Sequence, residues 1–230
     1  MDIKHLHLNK TESTQKDLKE LVKDDNLTPS SLYLISTDNQ VTGVGRQGSN
    51  WIQVENAIAF SFIIKPSQTL TLTPLEIGVH LADYFSSNIK LKWPNDLLND
   101  KNEKVGGIIC QFYKELIIVG VGINLTYNDS HAFPYPVGGV FAPEHKLSEN
   151  FKKNLPLDIY SHVIANRMSD YEIREDWNNF CAHKEKQVTI SDNKLVREGK
   201  FHSIGDNGEA IIQDEKGALV KVLTGSLRFI

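Results

Sequence analysis

Cysteine is scarce in this chain of 230 residues: Cys110 and Cys181 are its two, and they form no CxxC pair. That excludes a disulfide-stapled scaffold and fits two free thiols in a reducing compartment such as the cytoplasm. Runs of basic residues are also missing. The 25 Lys and Arg are scattered, 29 Asp and Glu outnumber them, and the net charge is −4, so the electrostatic footprint of a duplex-DNA binder is absent. No apolar run approaches the ~20 residues of a membrane-spanning helix. The opening residues, Met1-Asp2-Ile3-Lys4-His5, hold no apolar signal core. Internal repeats and low-complexity linkers are lacking too. What is there is an ordinary globular composition, 40% hydrophobic and 23% charged, long enough for one sizeable domain or for one plus a small partner.

The hydrophobic pattern predicts a strand over 3–8, then a polar helix entered through Thr11-Glu12-Ser13-Thr14-Gln15 and ending near Lys23. Strands follow over 31–36 and 57–64, the second apolar throughout and so covered on both faces. Thr73-Pro74-Leu75-Glu76 reads as a helix start, with Thr73 as cap, and that helix should run to about Ser86. Strands are expected over 89–92, 105–112 and 115–124, the last two as a hairpin around Tyr113-Lys114. Residues 126–150 read as irregular. Tyr160, Val163, Ile164, Met168 and Tyr171 share one face of a single long helix over 157–180. Short strands over 187–191, 195–203, 209–213 and 218–223 are separated by turns at Asp192-Asn193, Gly205-Asp206-Asn207-Gly208 and Asp214-Glu215-Lys216-Gly217. Such a meander suggests a small β-barrel appended to a domain of helices and strands.

Five segments carry chemistry. Lys92-Trp93-Pro94-Asn95-Asp96 is a turn of fixed shape, because Pro94 sets its own φ and holds Trp93 extended; it offers a cation, a carboxylate, an amide and an aromatic surface. Gly43, Gly45 and Gly48 flank Arg46 in a loop ending at Trp51, where a bare backbone can approach an anion and a guanidinium can clasp it. The same glycines spell GxGxxG, but that fingerprint needs a helix next, and an apolar strand follows here. Lys104 precedes Gly106 and Gly107 at the head of a strand, and Gly120 and Gly122 alternate toward Asn124, whose amide can both donate and accept as a purine edge requires. Ser13-Thr14-Gln15 groups three hydrogen-bonding side chains at a helix start. Taken singly, these also read as a surface turn, a flexible loop, a solvated lysine, close strand packing and a plain N-cap.

In this order, the segments resemble biotin–protein ligases, whose pattern is a Ser-Thr-Asn helix start, a GRGRxGRxW loop, a KWPND turn, a KxxGI strand and a GxGINV strand. The likeness spans about residues 10–125, and the resemblance extends to a C-terminal part like the family's SH3-like domain. It implies an α+β fold: a mixed central β-sheet packed with helices, class II synthetase-like, over 1–182, with an SH3-like β-barrel over 183–230. It implies a ligase that joins biotin and ATP into biotinyl-5′-AMP, then passes biotin to a lysine of a biotin carboxyl carrier domain, with Mg²⁺ on the phosphates. Lys104 and Arg46 would neutralise the carboxylate and α-phosphate as catalytic residues. Ser13, Thr14, Gln15 and Gln40 would hold the biotin ring, with Gly43, Val44, Gly45, Arg46, Lys104, Gly106, Gly107, Gly120 and Gly122 lining its slot. Trp51 would cover the adenine and Asn124 would read it. Arg46, Asn95, Asp96, Lys104 and Arg228 would face the nucleotide, with Asp96 the candidate Mg²⁺ ligand.

The chain departs from the family pattern at Val44, Gln47 and Ser49, where the glycine loop loses positive charge, and at Gln15 in place of Asn. One extra residue separates Asp96 from Lys104, and Gln111 stands where Glu is frequent. No DNA-binding helices precede residue 3, so operator binding is not expected, nor is a membrane partner. A homodimer through an exposed sheet edge is compatible with the pattern. The rival readings are a lipoate or octanoate ligase or transferase, and a non-catalytic biotin sensor.

Overall fold

The structure is a computed structural model that describes residues 2–28, 30–128, 133–192 and 195–230; the side chains of Gln47, Asn50 and Ser87 and the second residue of the expected Asp192-Asn193 turn lie outside the described residues. In chain order the elements are β1 (Lys4–Leu8), α1 (Thr14–Leu21), β2 (Tyr33–Thr37), β3 (Gly43–Val44), β4 (Asn50–Trp51), β5 (Asn56–Ile64), α2 (Thr73–Tyr84), β6 (Lys90–Lys92), β7 (Asp96–Leu98), β8 (Lys104–Tyr113), β9 (Leu116–Thr126), α3 (Glu149–Ala165), α4 (Asp170–Phe180), β10 (Gln187–Ser191), β11 (Val196–Ile204), β12 (Ala210–Gln213), β13 (Leu219–Val222) and β14 (Ser226–Phe229). They gather into two compact units, Met1–Pro66 with Glu103–Arg167, and Ser67–Asn102 with Met168–Ile230. The units cut across the expected 1–182 and 183–230 division, because Ser67–Asn102 packs with the C-terminal residues.

In the first unit, strands run in the order β1-β2-β5-β9-β8. β1 and β2 are parallel and the remaining pairs antiparallel, so this is a mixed sheet. The hairpin of β8 and β9 closes at Tyr113↔Leu116, with Lys114 in the left-handed region. Period-two alternation sorts side chains to two faces. Leu18 of α1 and Val22 just after it meet Ile35, Ile63 and Ile118 on one face in a buried cluster. The other face carries Phe62, against which Tyr160 of α3 stacks at 4.5 Å between ring centroids, and the Tyr160 hydroxyl donates to the carbonyl of Ile63.

In the second unit, β13-β12-β11-β10-β14 form an antiparallel sheet of five strands, matching the expected SH3-like part with one strand, β14, beyond those read from sequence. The single helix expected over 157–180 is two helices. Chain polarity explains the break: Ser169 and Glu172 form a capping box that starts α4 afresh, the Ser169 hydroxyl accepting from the Glu172 N–H and the Glu172 carboxylate from the Ser169 N–H. α3 in turn begins well upstream, where the Ser148 hydroxyl accepts from the Phe151 N–H. Tyr171, expected on the shared apolar face, is consequently 65% exposed. Thr73 does not cap α2: its hydroxyl accepts from Ser67, and Glu76, fully buried, accepts from the Ser67 hydroxyl and the Met168 N–H.

Candidate active site

Cross-strand register builds a floor of small residues on the α1 face of the first unit. One row runs Thr37, Ala59, Gly122, Gly107, and the next Ile35, Ser61, Gly120, Ile109. Gly107 thus lies on the same face as Gly120 and Gly122. Gly106 does not: it pairs with Ile123 and faces the other side of the sheet, since adjacent strand residues alternate. A role for Gly106 in lining the slot is confined to its backbone.

Two side chains lie on this floor. The carboxamide of Gln15 sits on Gly120, where a Cβ would come within 2.9 Å of its Nε2, and reaches the carbonyls of Ile109 and Ile118 at 3.4 Å each. The indole of Trp51 sits on Gly122 and against Gly43, where added Cβ atoms would meet it at 2.7 Å. The glycines are therefore required by close approach of side chains of the chain itself. Trp51, expected over the adenine, covers a part of the floor assigned to biotin, and its buried Nε1–H has no hydrogen-bond partner.

Next to the floor, Thr14 and Gln40 are tied together. The Thr14 N–H and hydroxyl both donate to Oε1 of Gln40, at 2.9 and 3.2 Å, and the Thr14 hydroxyl also meets that of Ser61 at 2.8 Å. The Gln40 N–H donates to Gln53 Oε1 at 2.7 Å, and Gln53 donates in turn to the Asp38 carbonyl. This chain fixes the Gln40 amide with its oxygen toward Thr14 and its NH₂ beside Gly43. Ser13 is buried and its side chain makes no capping bond. Gln53 was missed from the sequence, because one polar residue in a loop carries no periodic signal.

The glycine loop is a small hairpin. Gly43 pairs with Trp51 and Val44 with Asn50, and a 3₁₀ turn, Arg46–Gly48, closes it with Gly48 at φ +77°. The Gly45 N–H donates to the Ser49 carbonyl at 2.6 Å, and the Ser49 hydroxyl to the Arg46 carbonyl at 2.9 Å. Beside the hairpin opens a cleft of about 730 Å³ whose lining includes Lys16, Asp38, Gln40, Gly43, Val44 and Trp51.

Lys104 opens β8, and Asn124 lies near the end of β9. Residues 136–141 lace both. The Lys104 N–H donates to the Pro136 carbonyl at 2.8 Å, the Gly138 N–H to the Lys104 carbonyl at 3.0 Å, and Asn124 Nδ2 to the Gly138 carbonyl at 3.2 Å. Gly139 is pressed onto the backbone of Thr126, where a Cβ would sit 2.7 Å from its Cα. The Lys104 ammonium lies 5.4 Å from the centroid of the Tyr135 ring. Asn124 is 3% exposed, and its Oδ1 has no hydrogen-bond partner. An orphaned buried acceptor is costly, about 1–3 kcal/mol, unless a ligand N–H meets it. The lacing was hidden in a segment that reads as irregular; the pair Gly138-Gly139 was its only sign.

In the second unit, residues 92–96 form the turn of the β6–β7 hairpin, with Lys92 opposite Asp96 and a cis Trp93–Pro94 bond. Lys92 Nζ lies 2.7 Å from Asp96 Oδ2, both side chains largely buried. Trp93 offers no stacking surface: it is 1% exposed, and its indole N–H donates to the Gly208 carbonyl at 2.9 Å. Arg228 is exposed on β14, paired with Thr189. Among the described residues no three His, Cys, Asp or Glu side chains gather as a metal site. A single carboxylate such as Asp96 suits Mg²⁺ that arrives on phosphates. Both cysteines are free, and burial pushes each thiol up to about 12.

Residues 8–128 match the family described as the Biotin/lipoate A/B protein ligase family. Over 137 residues the chain is 33% identical to the bifunctional ligase/repressor BirA of Bacillus spizizenii, covering 53% of this chain and 40% of that protein. It is 25% identical over 160 residues to the biotin–[acetyl-CoA-carboxylase] ligase of Mycobacterium tuberculosis, covering 61% of this chain and 60% of that one. The chain thus spans between two fifths and three fifths of the length of these two relatives. A mutant biotin protein ligase from Aquifex aeolicus in complex with biotin superposes with a TM-score of 0.75 at 25% identity, covering 99% of each chain. The same organism's enzyme in complex with biotin and ATP gives a TM-score of 0.76 at 24% identity, again over 99% of each, a likeness of fold.

Proposed function

The chain belongs to the biotin/lipoate A/B protein ligase family, and on that premise we propose that it activates biotin with ATP and transfers it to a lysine of a biotin carboxyl carrier domain in the cytoplasm. A biotin carboxylate oxygen attacks the α-phosphorus, the bond to pyrophosphate breaks, and biotinyl-5′-AMP forms. The neutral ε-amine of the acceptor lysine then attacks the acyl carbon; AMP leaves, an amide forms and the amine gives up a proton. Negative charge builds at phosphorus in the first step, so fixed cations and N–H donors carry most of the catalysis. Lys104 and Arg46 take that part in this reading, with Thr14 and the oriented NH₂ of Gln40 on the ureido ring. Mg²⁺ held between Asp96 and the phosphates would neutralise part of the nucleotide's charge.

The observation that carries the proposal is the unpaired, buried Oδ1 of Asn124 beyond Gly120 and Gly122 on one strand. A two-residue spacing puts all three on one face. Gln15 and Trp51 cover the two glycines, and the unpaired acceptor beyond them suits a ligand donor such as the exocyclic amine of a purine. Biotin is favoured over lipoate because the Mycobacterium tuberculosis relative and both solved structures above carry biotin in their names, and because the KWPND turn is intact and the glycine loop, though altered at Val44, Gln47 and Ser49, keeps Arg46 and Trp51. β1 ends the strand order of its sheet, offering an edge for a homodimer; sedimentation velocity with and without biotin and ATP tests that part. The deciding experiment is ATP–pyrophosphate exchange with biotin, with lipoate and with neither. Exchange that requires biotin is expected; exchange with lipoate alone would move the chain to the sister activity, and none with either would favour a sensor.

A further inference from the structure

His183 lies outside every motif read from the sequence, yet it is fully buried against the KWPND turn. Its Nε2 accepts the backbone N–H of Trp93 at 2.9 Å. A backbone N–H can only donate, so Nε2 is unprotonated and the ring proton sits on Nδ1. That proton points at Cys181 Sγ, 3.3 Å away. The ring is also held edge-on by Phe201 at 4.0 Å between centroids. Around it the strand is stitched further: Cys181 bridges Leu91, the Ala182 N–H donates to the Leu91 carbonyl at 2.8 Å, and the Trp93 indole reaches Gly208. Residues 181–183 therefore run along β6 and fix the geometry of the turn that bears Asn95 and Asp96.

We propose that His183 is a positioning residue for the nucleotide half of the reaction, holding the Lys92–Asp96 turn through the Trp93 N–H so that Asn95 and Asp96 meet the phosphates in one orientation. This rests on the ligase reading. Misplacing a positioned group by about 1 Å can cost ~100-fold in rate, and such a loss should fall on ATP and spare biotin. The buried neutral imidazole acts as an acceptor, a task a glutamine carbonyl can perform and a leucine cannot.

The test compares wild type, His183→Leu and His183→Gln in pyrophosphate exchange, with ATP and biotin varied separately, at a temperature where thermal melts show all three folded. A fourth protein, Trp93→Phe, keeps the backbone N–H and loses the bond to Gly208. The expected result is a ~10- to 100-fold fall in kcat/KM for ATP in His183→Leu, biotin affinity by calorimetry within about twofold, and substantial recovery in His183→Gln. Trp93→Phe should show a smaller loss of the same kind. Biotin-dependent exchange in wild type with unchanged ATP kinetics in His183→Leu overturns the positioning role alone. So does an equal loss of biotin affinity, which would mark a general loss of structure. Wild-type protein without biotin-dependent exchange overturns the ligase reading and the positioning role with it.

Discussion

Lys104 is held by its backbone from two sides, through Pro136 and Gly138, which leaves the placement of its ammonium to a rigid strand end. Lys104→Ala should lower the rate of biotin-dependent pyrophosphate exchange by ~10²–10³, the usual effect of deleting one fixed electrostatic contact; a drop below tenfold would count against the assignment. Gly122 answers to a different force. Gly122→Ala puts a methyl group 2.7 Å from two ring carbons of Trp51, so the indole must leave the floor. Trp93 and Trp177 are both 1% exposed, so a red-shifted emission with greater acrylamide quenching would report Trp51, and biotin binding should weaken in the same protein. An unaltered spectrum would show that the indole is not pinned there. The two tryptophans also show where reading residues from sequence stops. Trp51 and Trp93 both stand in motifs, but one covers glycines of the floor and the other is core. Nothing in the linear pattern separates them, because burial is decided by partners such as Gly208 that lie 115 residues away.

At the scale of elements, the strands and the glycine floor were legible because period-two alternation and glycine spacing are local signals. β5 and β9 fall within two residues of the expected bounds, and the Gly120, Gly122, Asn124 face follows from alternation alone. The break between α3 and α4 was not legible, since the apolar face continues through Met168 and the capping box competes with it only once Ser169 adopts its extended backbone. Gly106 and Gly107, expected together in the slot, lie on opposite faces for a related reason: adjacent strand residues alternate. Ser169→Ala should remove the cap of α4 at a cost of ~1 kcal/mol, seen as a lower midpoint in urea with an unchanged slope. A change in slope instead would mean that α4 unfolds apart from the rest.

For the molecule as a whole, the most distinctive pH dependence comes from the buried imidazole of His183. Burial, with Lys92 and Lys186 adding positive charge, pushes it down to about 3 from the ordinary 6.5. Between those values the unfolded chain binds a proton that the folded chain refuses, so folded stability declines as pH falls through this window and is level with respect to this group above it. Thermal melts from pH 7 to pH 4 should show that decline, and His183→Gln should make it shallower; parallel slopes in the two proteins would assign it to other groups. Both units are discontinuous in sequence, and the second joins Ser67–Asn102 to Met168–Ile230. The anchoring of Trp93 by His183 and Gly208 therefore bears on what can be transplanted. A chimaera that imports a foreign barrel after residue 182 would leave an indole and a backbone amide with partners that did not evolve beside them. The KWPND string looks portable as five letters, but its inheritable part is the string together with the barrel, and the two should be exchanged between homologues only as a pair.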